Sequence, residues 1–284
     1  MKVSNYLFEQ QWQTAKKSHP ENGFEIVEHG WEQHVLVDHA KNLVYRYPRN
    51  KNAFNKLTDE VAVLRELHQA TFNVAIPVLR EHTADYTVYD YIPGDVLSDD
   101  IIANLTDEQL ASIGHDLGIF FSILHSTSPD VVKSKATRQT TSLYDYYARR
   151  IEGAKTADFY EKAHDTLLSI AGDTNDQVVV HGDLHGLNIV IDPVTKNLSG
   201  IIDFSELELG NRHQDFRKPF MTDSRLLGPA INAYEQHCDI KLSKEKIIAW
   251  AYVNEWANIA YFKDTPENPT YLRAFKHLRK WQQI

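Results

Sequence analysis

Residues 181–205 read HGDLHGLNIVIDPVTKNLSGIIDFS. A short apolar run at residues 178–180 leads into this stretch, and two more runs lie within it at residues 188–191 and 198–204. Residues 192–197, which separate the last two runs, contain the turn-forming types Asp, Pro and Asn. Short apolar runs bounded by turn residues are typical of β-strands. The pattern therefore predicts a strand, a loop and then a β-hairpin.

Three side chains with oxygen donors fall at the ends of these predicted strands. Asp183 lies in the loop, Asn188 follows it by five residues, and Asp203 follows Asn188 by fifteen. Phosphoryl transfer needs an oriented acceptor hydroxyl and cations spread over the phosphate oxygens. A carboxylate can accept the hydrogen bond of the hydroxyl, and amide and carboxylate oxygens suit Mg²⁺. The order and spacing match the catalytic loop and metal motif of protein kinases, and predict that the three side chains meet around one divalent ion.

Two other interpretations of this stretch stay open on the residues alone. His181 and His185, at i and i+4, could bind zinc together with Asp183, so a zinc hydrolase is one alternative. A catalytically silent nucleotide-binding or regulatory protein is the other. Such a protein would not need to keep Asp183, Asn188 and Asp203 together, which favours an enzyme.

The first third of the chain predicts a sheet with one helix. Strand-like runs occupy residues 24–48, and residues 75–79 and 86–91 predict two more strands. Between them, apolar residues recur at steps of three and four, which places them on one helix face. These residues are Phe54, Leu57, Val61, Leu64 and Leu67. Pro93 and Gly94 then break the chain.

Beyond Gly94 the pattern is mainly helical. A long amphipathic helix is predicted to begin at a capping box formed by Thr106 and Gln109. Its apolar stripe is Leu110, Ile113, Leu117, Phe120 and Leu124. Further helices are predicted over residues 142–171, 222–237, 243–262 and 267–281.

These elements predict an α+β, protein-kinase-like fold of two lobes. Residues 1–92 are expected to form the nucleotide-binding lobe, an antiparallel sheet with one main helix. Residues 93–284 are expected to form a larger, mostly helical lobe for catalysis and substrate binding.

A kinase-like fold also needs a cation on a strand before the first helix, oriented by a helix carboxylate. Arg46 is the candidate cation, because it lies in the strand-like run that precedes the helix. Glu60 is the candidate carboxylate, since it lies on the same side of the helix as the apolar stripe and there requires a cation. Residues 29–33 are the candidate phosphate-covering loop, although Gly30 is their single glycine.

The sequence resembles the aminoglycoside phosphotransferase family over nearly its whole length. The resemblance is carried by HGDLHGLN at residues 181–188 and by IDF at residues 202–204. It implies Asp183 as the catalytic base and His185 as a group near the γ-phosphate. It also implies magnesium ligands, Asn188 and Asp203.

The same resemblance implies roles for three further parts of the chain. Asp215 is expected to brace the catalytic loop, with His181 as a second structural support. Residues 89–94 resemble the family's hinge between lobes, so backbone groups of Asp90, Tyr91 and Ile92 are expected to meet the purine. The phosphoryl donor implied is ATP or GTP with Mg²⁺.

The composition of the chain indicates which classes of molecule it binds. Thirty Lys and Arg residues stand against 39 Asp and Glu residues, a net charge of -9 that disfavours nucleic acid and favours a neutral or cationic acceptor. Glu206 and Glu208 are candidates to face such a cation. The single cysteine, Cys238, agrees with a reducing cytoplasm. No apolar run reaches the roughly 18 residues of a membrane span, so we expect a cytoplasmic protein that acts without a membrane.

The sequence thus predicts a small-molecule kinase that moves the γ-phosphoryl group of ATP or GTP onto a hydroxyl. The resemblance favours an aminoglycoside or macrolide kinase, with antibiotic resistance as the associated role. A kinase of a hydroxyl metabolite, such as choline, homoserine or methylthioribose, is the alternative within the same enzyme class.

Overall fold

The computed structural model describes residues 2–18, 24–27, 32–133, 135, 142–171 and 176–281. The chain divides into two compact units. The first comprises Met1–Leu97, Thr127–Arg138 and Leu187–Leu207, and the second comprises Ser98–Ser126, Gln139–Gly186 and Glu208–Ile284. The functional division predicted at residue 92 stays a prediction. Residues 29–31 of the candidate phosphate-covering loop lie outside the described residues.

An antiparallel sheet makes up much of the first unit. Its strands are β1 Phe24–Val27, β2 Gln33–Asp38, β3 Leu43–Pro48, β4 Leu79–His82 and β5 Thr87–Asp90. Among the described residues these five strands lie in the order β1, β2, β3, β5, β4. Leu36 of β2 and Tyr47 of β3 are buried against Trp12, which lies on helix α1, Lys2–Ser18. The predicted antiparallel sheet is confirmed.

Helix α2, Lys51–Leu67, follows β3. It begins at Asn50, whose side chain accepts a hydrogen bond from the Ala53 N–H at 2.9 Å, a usual N-cap interaction. The predicted apolar stripe is confirmed, because Leu57, Val61, Leu64 and Leu67 are all buried. Two charged side chains of the helix, Lys56 and Glu60, are also buried in the first unit.

A second, smaller sheet completes the first unit, with helix α5, Asp130–Lys133. Strand β6, Asp95–Val96, pairs with β8, Ile189–Ile191, which pairs in turn with β9, Leu198–Ile201. The hairpin predicted from residues 188–204 is therefore confirmed. Gly94 precedes β6 at φ 144°, and a Cβ there would lie 2.4 Å from the Ile191 carbonyl oxygen, so this position requires glycine.

The second unit is mainly helical. Its helices are α3 Asp99–Ile102, α4 Asp107–His125, α6 Leu143–Glu152, α7 Tyr160–Ser169, α8 Arg212–Thr222, α9 Leu227–Cys238, α10 Lys244–Tyr261 and α11 Pro269–Lys280. The capping box of Thr106 and Gln109 is present, and the predicted stripe of α4 is buried. A two-stranded ribbon joins β7, Gln177–Val180, to β10, Glu208–Asn211. None of the helices in the described part of the chain has the length and hydropathy of a membrane span.

Two parts of the element prediction were wrong. The strand predicted over residues 75–79 begins only at Leu79, because the Ala75 backbone instead exchanges hydrogen bonds with Ser199 and Ile201. Helix α8 and strand β10 were not predicted, since the polar composition of residues 208–218 hides a segment that is largely buried.

Candidate active site

The loop that carries Asp183 is fixed in the second unit by Asp215 from the first turn of α8. Asp215 Oδ2 accepts the His181 N–H at 2.8 Å, and its Oδ1 accepts the Gly182 N–H at 2.9 Å. Burial opposes ionisation of Asp215, but the hydrogen bond and charge of His125 hold its pKa below the ordinary value. The carboxylate therefore stays charged and braces two successive peptides of the loop.

His125, at the end of α4, continues this buried network. Its Nε2 lies 3.1 Å from Asp215 Oδ2, and its Nδ1 lies 3.0 Å from the Tyr234 hydroxyl. The Tyr234 hydroxyl also accepts a hydrogen bond from Arg212 Nη1 at 2.5 Å. Asp215 is thus anchored by α4 and α9 as well as by its own helix.

Arg217 holds the same loop from the opposite side. It is buried, and its Nη2 donates to the Gly182 carbonyl at 2.6 Å while its Nη1 donates to the Gln214 carbonyl at 2.5 Å. Gly182, at φ 84°, therefore has its N–H and its carbonyl bonded to two residues of α8. This positive φ favours glycine, which agrees with the His-Gly-Asp order of the loop.

Asp183 is the carboxylate that this loop presents. Its side chain is 37% exposed, so a small molecule can reach it. Lys218 Nζ lies 3.1 Å from Oδ1, and His185 Nε2 lies 3.6 Å from Oδ2. Although burial favours the neutral acid, the charges of Lys218 and His185 lower the pKa of Asp183 below its ordinary value. Asp183 is therefore an ionised hydrogen-bond acceptor at neutral pH.

The sequence reading missed Lys218, Arg217 and His125. Lys218 follows Asp215 by three residues, and Arg217 stands beside it, so recognising helix α8 would have placed both near the loop. His125 carries no comparable signal, because its role depends on the packing of α4 within the second unit.

The first unit carries the other two residues of the predicted motif, Asn188 and Asp203, at one end of the β8–β9 hairpin. The Ile202 N–H donates to the Asn188 carbonyl oxygen at 3.0 Å, which extends the hairpin by one backbone bond. Asn188 is buried, whereas the Asp203 side chain is 39% exposed. Asp203 adopts φ 64°, an uncommon left-handed conformation for a residue other than glycine. Such conformations persist where surrounding bonds enforce them.

Arg46 and Glu60 supply those surrounding bonds. Arg46 Nη1 donates to both Glu60 carboxylate oxygens, at 2.8 and 2.7 Å, and its Nη2 lies 3.4 Å from Asp203 Oδ1. Glu60 Oε1 also accepts the Phe204 N–H at 3.0 Å. Burial raises the pKa of Glu60, and the positive charge of Arg46 limits that rise. Burial also opposes the charge of Arg46, but the negative charges of Glu60 and Asp203 outweigh it and raise the Arg46 pKa. Arg46 and Glu60 therefore form an ion pair that contacts the metal motif.

The donor set at this end of the hairpin fits a magnesium ion. Asn188 and Asp203 offer an amide and a carboxylate oxygen, and Mg²⁺ commonly takes one or two protein ligands and completes its shell with water and phosphate oxygens. Within the described residues, no group of three or more His, Cys, Asp and Glu side chains is arranged to bind a metal.

The three residues predicted as the hinge lie at the end of β5 and just beyond it. The Asp90 N–H donates to the Val78 carbonyl and the Tyr91 N–H donates to the Asn42 carbonyl, at 2.9 and 2.8 Å. The Asp90 carboxylate pairs with Arg80 at 2.6 Å. These two N–H groups therefore already donate hydrogen bonds within the protein. The hinge prediction, that backbone groups here contact the purine, then depends on Ile92 and on the carbonyl groups.

Glu206 and Glu208, the predicted contacts for a cationic acceptor, are engaged by other side chains. Glu206 Oε1 lies 2.6 Å from Lys56 Nζ within the first unit. Glu208 Oε1 accepts a hydrogen bond from Gln214 Nε2 at 3.1 Å within the second unit. Each of these contacts uses one carboxylate oxygen, and the role of Glu206 and Glu208 toward an acceptor stays a prediction.

The family model of the APH phosphotransferase enzymes matches residues 23–237. The chain belongs to this phosphotransferase enzyme family. The match includes both predicted motif segments, and it removes the basis for the zinc hydrolase alternative. No individual curated protein sequence matches the chain.

Solved structures of the same fold are similar over almost the full chain. Wild-type aminoglycoside 2'-phosphotransferase-IIIa in complex with GDP has a TM-score of 0.74 at 15% identity, covering 97% of both chains. A macrolide 2'-phosphotransferase apoenzyme from Brachybacterium faecium has a TM-score of 0.72 at 15% identity, covering 92% of this chain and 95% of that chain. A ternary complex of an aminoglycoside 2"-phosphotransferase with streptomycin and ATP gives 0.67 at 15%, covering 95% of both chains. The predicted kinase-like fold is confirmed.

Proposed function

We propose that this protein is a small-molecule kinase that transfers the γ-phosphoryl group of ATP or GTP to a hydroxyl. The observation that carries the proposal is the ionised, accessible Asp183 on a loop braced by Asp215, in a chain of a phosphotransferase family. Similar structures that contain GDP, or ATP with streptomycin, support the choice of donor and of acceptor class.

Asp183 has the properties that the acceptor side of the reaction requires. The acceptor hydroxyl donates a hydrogen bond to the Asp183 carboxylate, which orients the hydroxyl oxygen toward the γ-phosphorus. A bond forms between that oxygen and the γ-phosphorus while the bond from the γ-phosphorus to the β,γ-bridging oxygen breaks. The hydroxyl proton passes to Asp183, and the nucleoside diphosphate leaves. His185, beside Asp183, is the proposed partner of the γ-phosphate oxygens.

The donor side is assigned to residues of the first unit. Asn188 and Asp203 would hold Mg²⁺, which when bound neutralises charge on the phosphate oxygens. Arg46, oriented by Glu60, binds the α- and β-phosphates, because a charged planar guanidinium suits phosphate. The backbone of Asp90, Tyr91 and Ile92 meets the purine.

For the acceptor we propose a class of compound, and for the cellular location a compartment. An aminoglycoside or macrolide is the first acceptor class to test, since the similar structures include kinases of both. A hydroxyl metabolite is the second. Action in the cytoplasm, without nucleic acid as a partner, stays a prediction that rests on charge and on the single cysteine.

An acceptor screen tests the proposal directly. Purified protein is incubated with Mg²⁺ and either ATP or GTP together with pools of aminoglycosides, macrolides and hydroxyl metabolites, and each acceptor is examined for the mass of one added phosphate. We expect one class to gain phosphate in a reaction that needs Mg²⁺ and Asp183. If no acceptor gains phosphate and the nucleotide is bound but never consumed, the silent regulatory alternative replaces the proposal.

A further inference from the structure

Positive side chains surround the Asp183 carboxylate within the second unit. Lys218 Nζ lies 3.1 Å from one oxygen and His185 Nε2 lies 3.6 Å from the other. The Lys218 side chain is only 16% exposed, so its charge is partly withdrawn from water beside an accessible carboxylate. Arg217, buried and bonded to the Gly182 carbonyl, adds a second permanent positive charge that acts on Asp183.

Helix α11 of the same unit is rich in basic residues. Phe220, two residues beyond Lys218, stacks on Trp281 with ring centroids 5.2 Å apart, and Trp281 also stacks on His277 at 5.1 Å. The last turn of α11 contains His277, Arg279 and Lys280, and its twelve residues, PTYLRAFKHLRK, include no Asp or Glu. Helix α11 is therefore basic, and Trp281, just beyond it, packs against Phe220 of α8.

Three carboxylates of the second unit have partners of their own. Asp223 pairs with Arg225 at 2.7 Å, and Glu255 pairs with His277 at 2.6 Å. Glu208 accepts its hydrogen bond from Gln214. A cationic acceptor brought to Asp183 would lie against the Lys218 ammonium, and like charges in contact cost several kcal/mol. An anionic acceptor would instead find a positive charge within reach of the reacting hydroxyl.

We propose that Lys218 is a specificity-determining residue and that the acceptor carries an anionic group, a carboxylate or a phosphate, close to the hydroxyl that is phosphorylated. The inference rests on the proposed function and names the acceptor class for the same site. When the acceptor binds, the Lys218 ammonium leaves Asp183 and pairs with the anionic group of the acceptor. Asp183 then accepts the hydrogen bond of the acceptor hydroxyl. The inference places a hydroxyl metabolite with an anionic group, the second acceptor class above, ahead of aminoglycosides and macrolides, whose amines would meet the Lys218 ammonium.

Matched acceptors test the charge preference in the wild-type enzyme. Each set shares one carbon skeleton and contains a hydroxy acid, a phosphate ester, the neutral alcohol and the amino alcohol; gluconate, glucose 6-phosphate, glucose and glucosamine form one such set. With Mg²⁺ and ATP or GTP, the anionic members are expected to be phosphorylated with kcat/KM about tenfold to a hundredfold above the neutral member, the range of one hydrogen bond to a charged group. The carboxylate and phosphate members tell the two anion types apart.

Variants of Lys218 then test the residue itself. In Lys218→Met, the ratio of kcat/KM for the anionic to the neutral acceptor should fall about tenfold or more, and in Lys218→Glu the amino alcohol should become the preferred acceptor. Lys218→Arg should restore most of the ratio, since it keeps the positive charge. Because the ratio is taken within one variant, a general loss of activity cancels. Lys263→Met, which changes an exposed-surface lysine of the same unit paired with Asp264, should leave the ratio unchanged.

Three outcomes would overturn the inference. Preference of the wild-type enzyme for neutral or amine acceptors, with clear phosphorylation, would reject the anionic acceptor while the proposed function stands. An unchanged ratio in both Lys218→Met and Lys218→Glu would reject the role of Lys218. Absence of any phosphorylated acceptor together with absence of Mg²⁺-dependent nucleotide hydrolysis would remove the proposed function and this inference with it.

Discussion

The loop at residues 181–186 and the metal motif at residues 202–204 are fixed by different kinds of interaction. The loop is held through its backbone: Asp215 and Arg217 bond to its N–H and carbonyl groups from buried positions. In the metal motif the Phe204 N–H also donates to a buried carboxylate, Glu60, but the Asp203 side chain contacts Arg46 through an ion pair at 3.4 Å.

This difference separates a rigid loop of the second unit from an adjustable motif of the first unit. Breaking a buried hydrogen bond to a peptide leaves an unsatisfied group, so the loop is expected to keep one geometry. An ion pair beside an exposed carboxylate can rearrange when a metal ion and a triphosphate add their charges. A proton acceptor benefits from fixed geometry, whereas a ligand of an exchanging Mg²⁺–nucleotide complex must tolerate arrival and release.

The largest effect is expected at the residue that the rigid loop presents. Asp183→Asn keeps the shape but removes the charge that accepts the hydroxyl proton, so kcat should fall about 10²- to 10⁴-fold, the usual contribution of a general base. Nucleotide affinity, measured by calorimetry with Mg²⁺, should stay within about threefold because the variant changes no proposed donor-side group. Asp264→Asn, an exposed carboxylate of the same unit, is the control. Equal turnover in Asp183→Asn and the parent would refute the base assignment.

Next in size is the loss of the brace. Asp215→Ala removes the acceptor of two backbone N–H groups, and each unsatisfied buried group costs about 1–3 kcal/mol. We expect the free energy of unfolding, measured in urea, to fall by about 3 kcal/mol. A loss below about 0.5 kcal/mol, the level of an ordinary surface substitution, would show that the loop does not depend on this carboxylate.

The same variant has a pH signature. The pKa of Asp215 is lower in the folded protein than its ordinary value, so the folded state binds the proton less readily than the unfolded chain. Its contribution to stability is therefore complete above the unfolded pKa of about 3.9 and is lost as the pH falls through the folded pKa. The stability difference between the parent and Asp215→Ala should accordingly shrink below about pH 4. A difference that grows on acidification would contradict the assigned sign.

The sequence predicts those residues whose interactions are local, between residues close together in the chain. Asp183, Asn188 and Asp203 were recognisable because loop and hairpin spacing is local and reaction chemistry restricts the residue types. The partner of Arg46 was recognisable from helix periodicity. Lys218 could have been placed from its spacing to Asp215 had helix α8 been recognised, whereas His125 acts through packing of α4 that no local pattern encodes.

The charge of the sequence does not show which acidic side chains have partners in the fold. Glu206 and Glu208 follow the metal motif, so both were candidates for a cationic acceptor, yet Lys56 and Gln214 engage them. A formal charge of -9 describes the chain, whereas the charge beside Asp183 depends on which acids already have partners. Such pairing is a property of the fold and cannot be counted from composition.

On the adjustable side, Asp203→Ala should weaken nucleotide binding rather than the fold. Loss of a ligand should lower Mg²⁺-dependent nucleotide affinity by at least the 10- to 100-fold that loss of an outer-shell partner typically costs. Asp203→Gly is the matched variant, because glycine suits the positive φ and only the carboxylate is lost. Nucleotide affinity is titrated with Mg²⁺ and again with EDTA, which removes Mg²⁺. The Mg²⁺-dependent part of the affinity should fall by a similar factor in both variants. Normal affinity in Asp203→Gly alone would mean that backbone conformation, not the carboxylate, explains the loss.

The smallest effect is expected where the rigid loop ends. The Gly186 N–H donates to Thr222 Oγ1 at 3.1 Å, a neutral hydrogen bond from the last turn of α8. Thr222→Val removes that acceptor at nearly constant volume, so we expect a loss of about 1 kcal/mol in unfolding free energy and less than about tenfold in kcat. Thr222→Ser keeps the hydroxyl and should retain most of both. If Thr222→Val instead lowered kcat as far as Asp183→Asn, the end of the loop near Gly186 would control the reaction as strongly as the braced peptides, and the contrast between a rigid loop and an adjustable metal motif would have to be redrawn around α8.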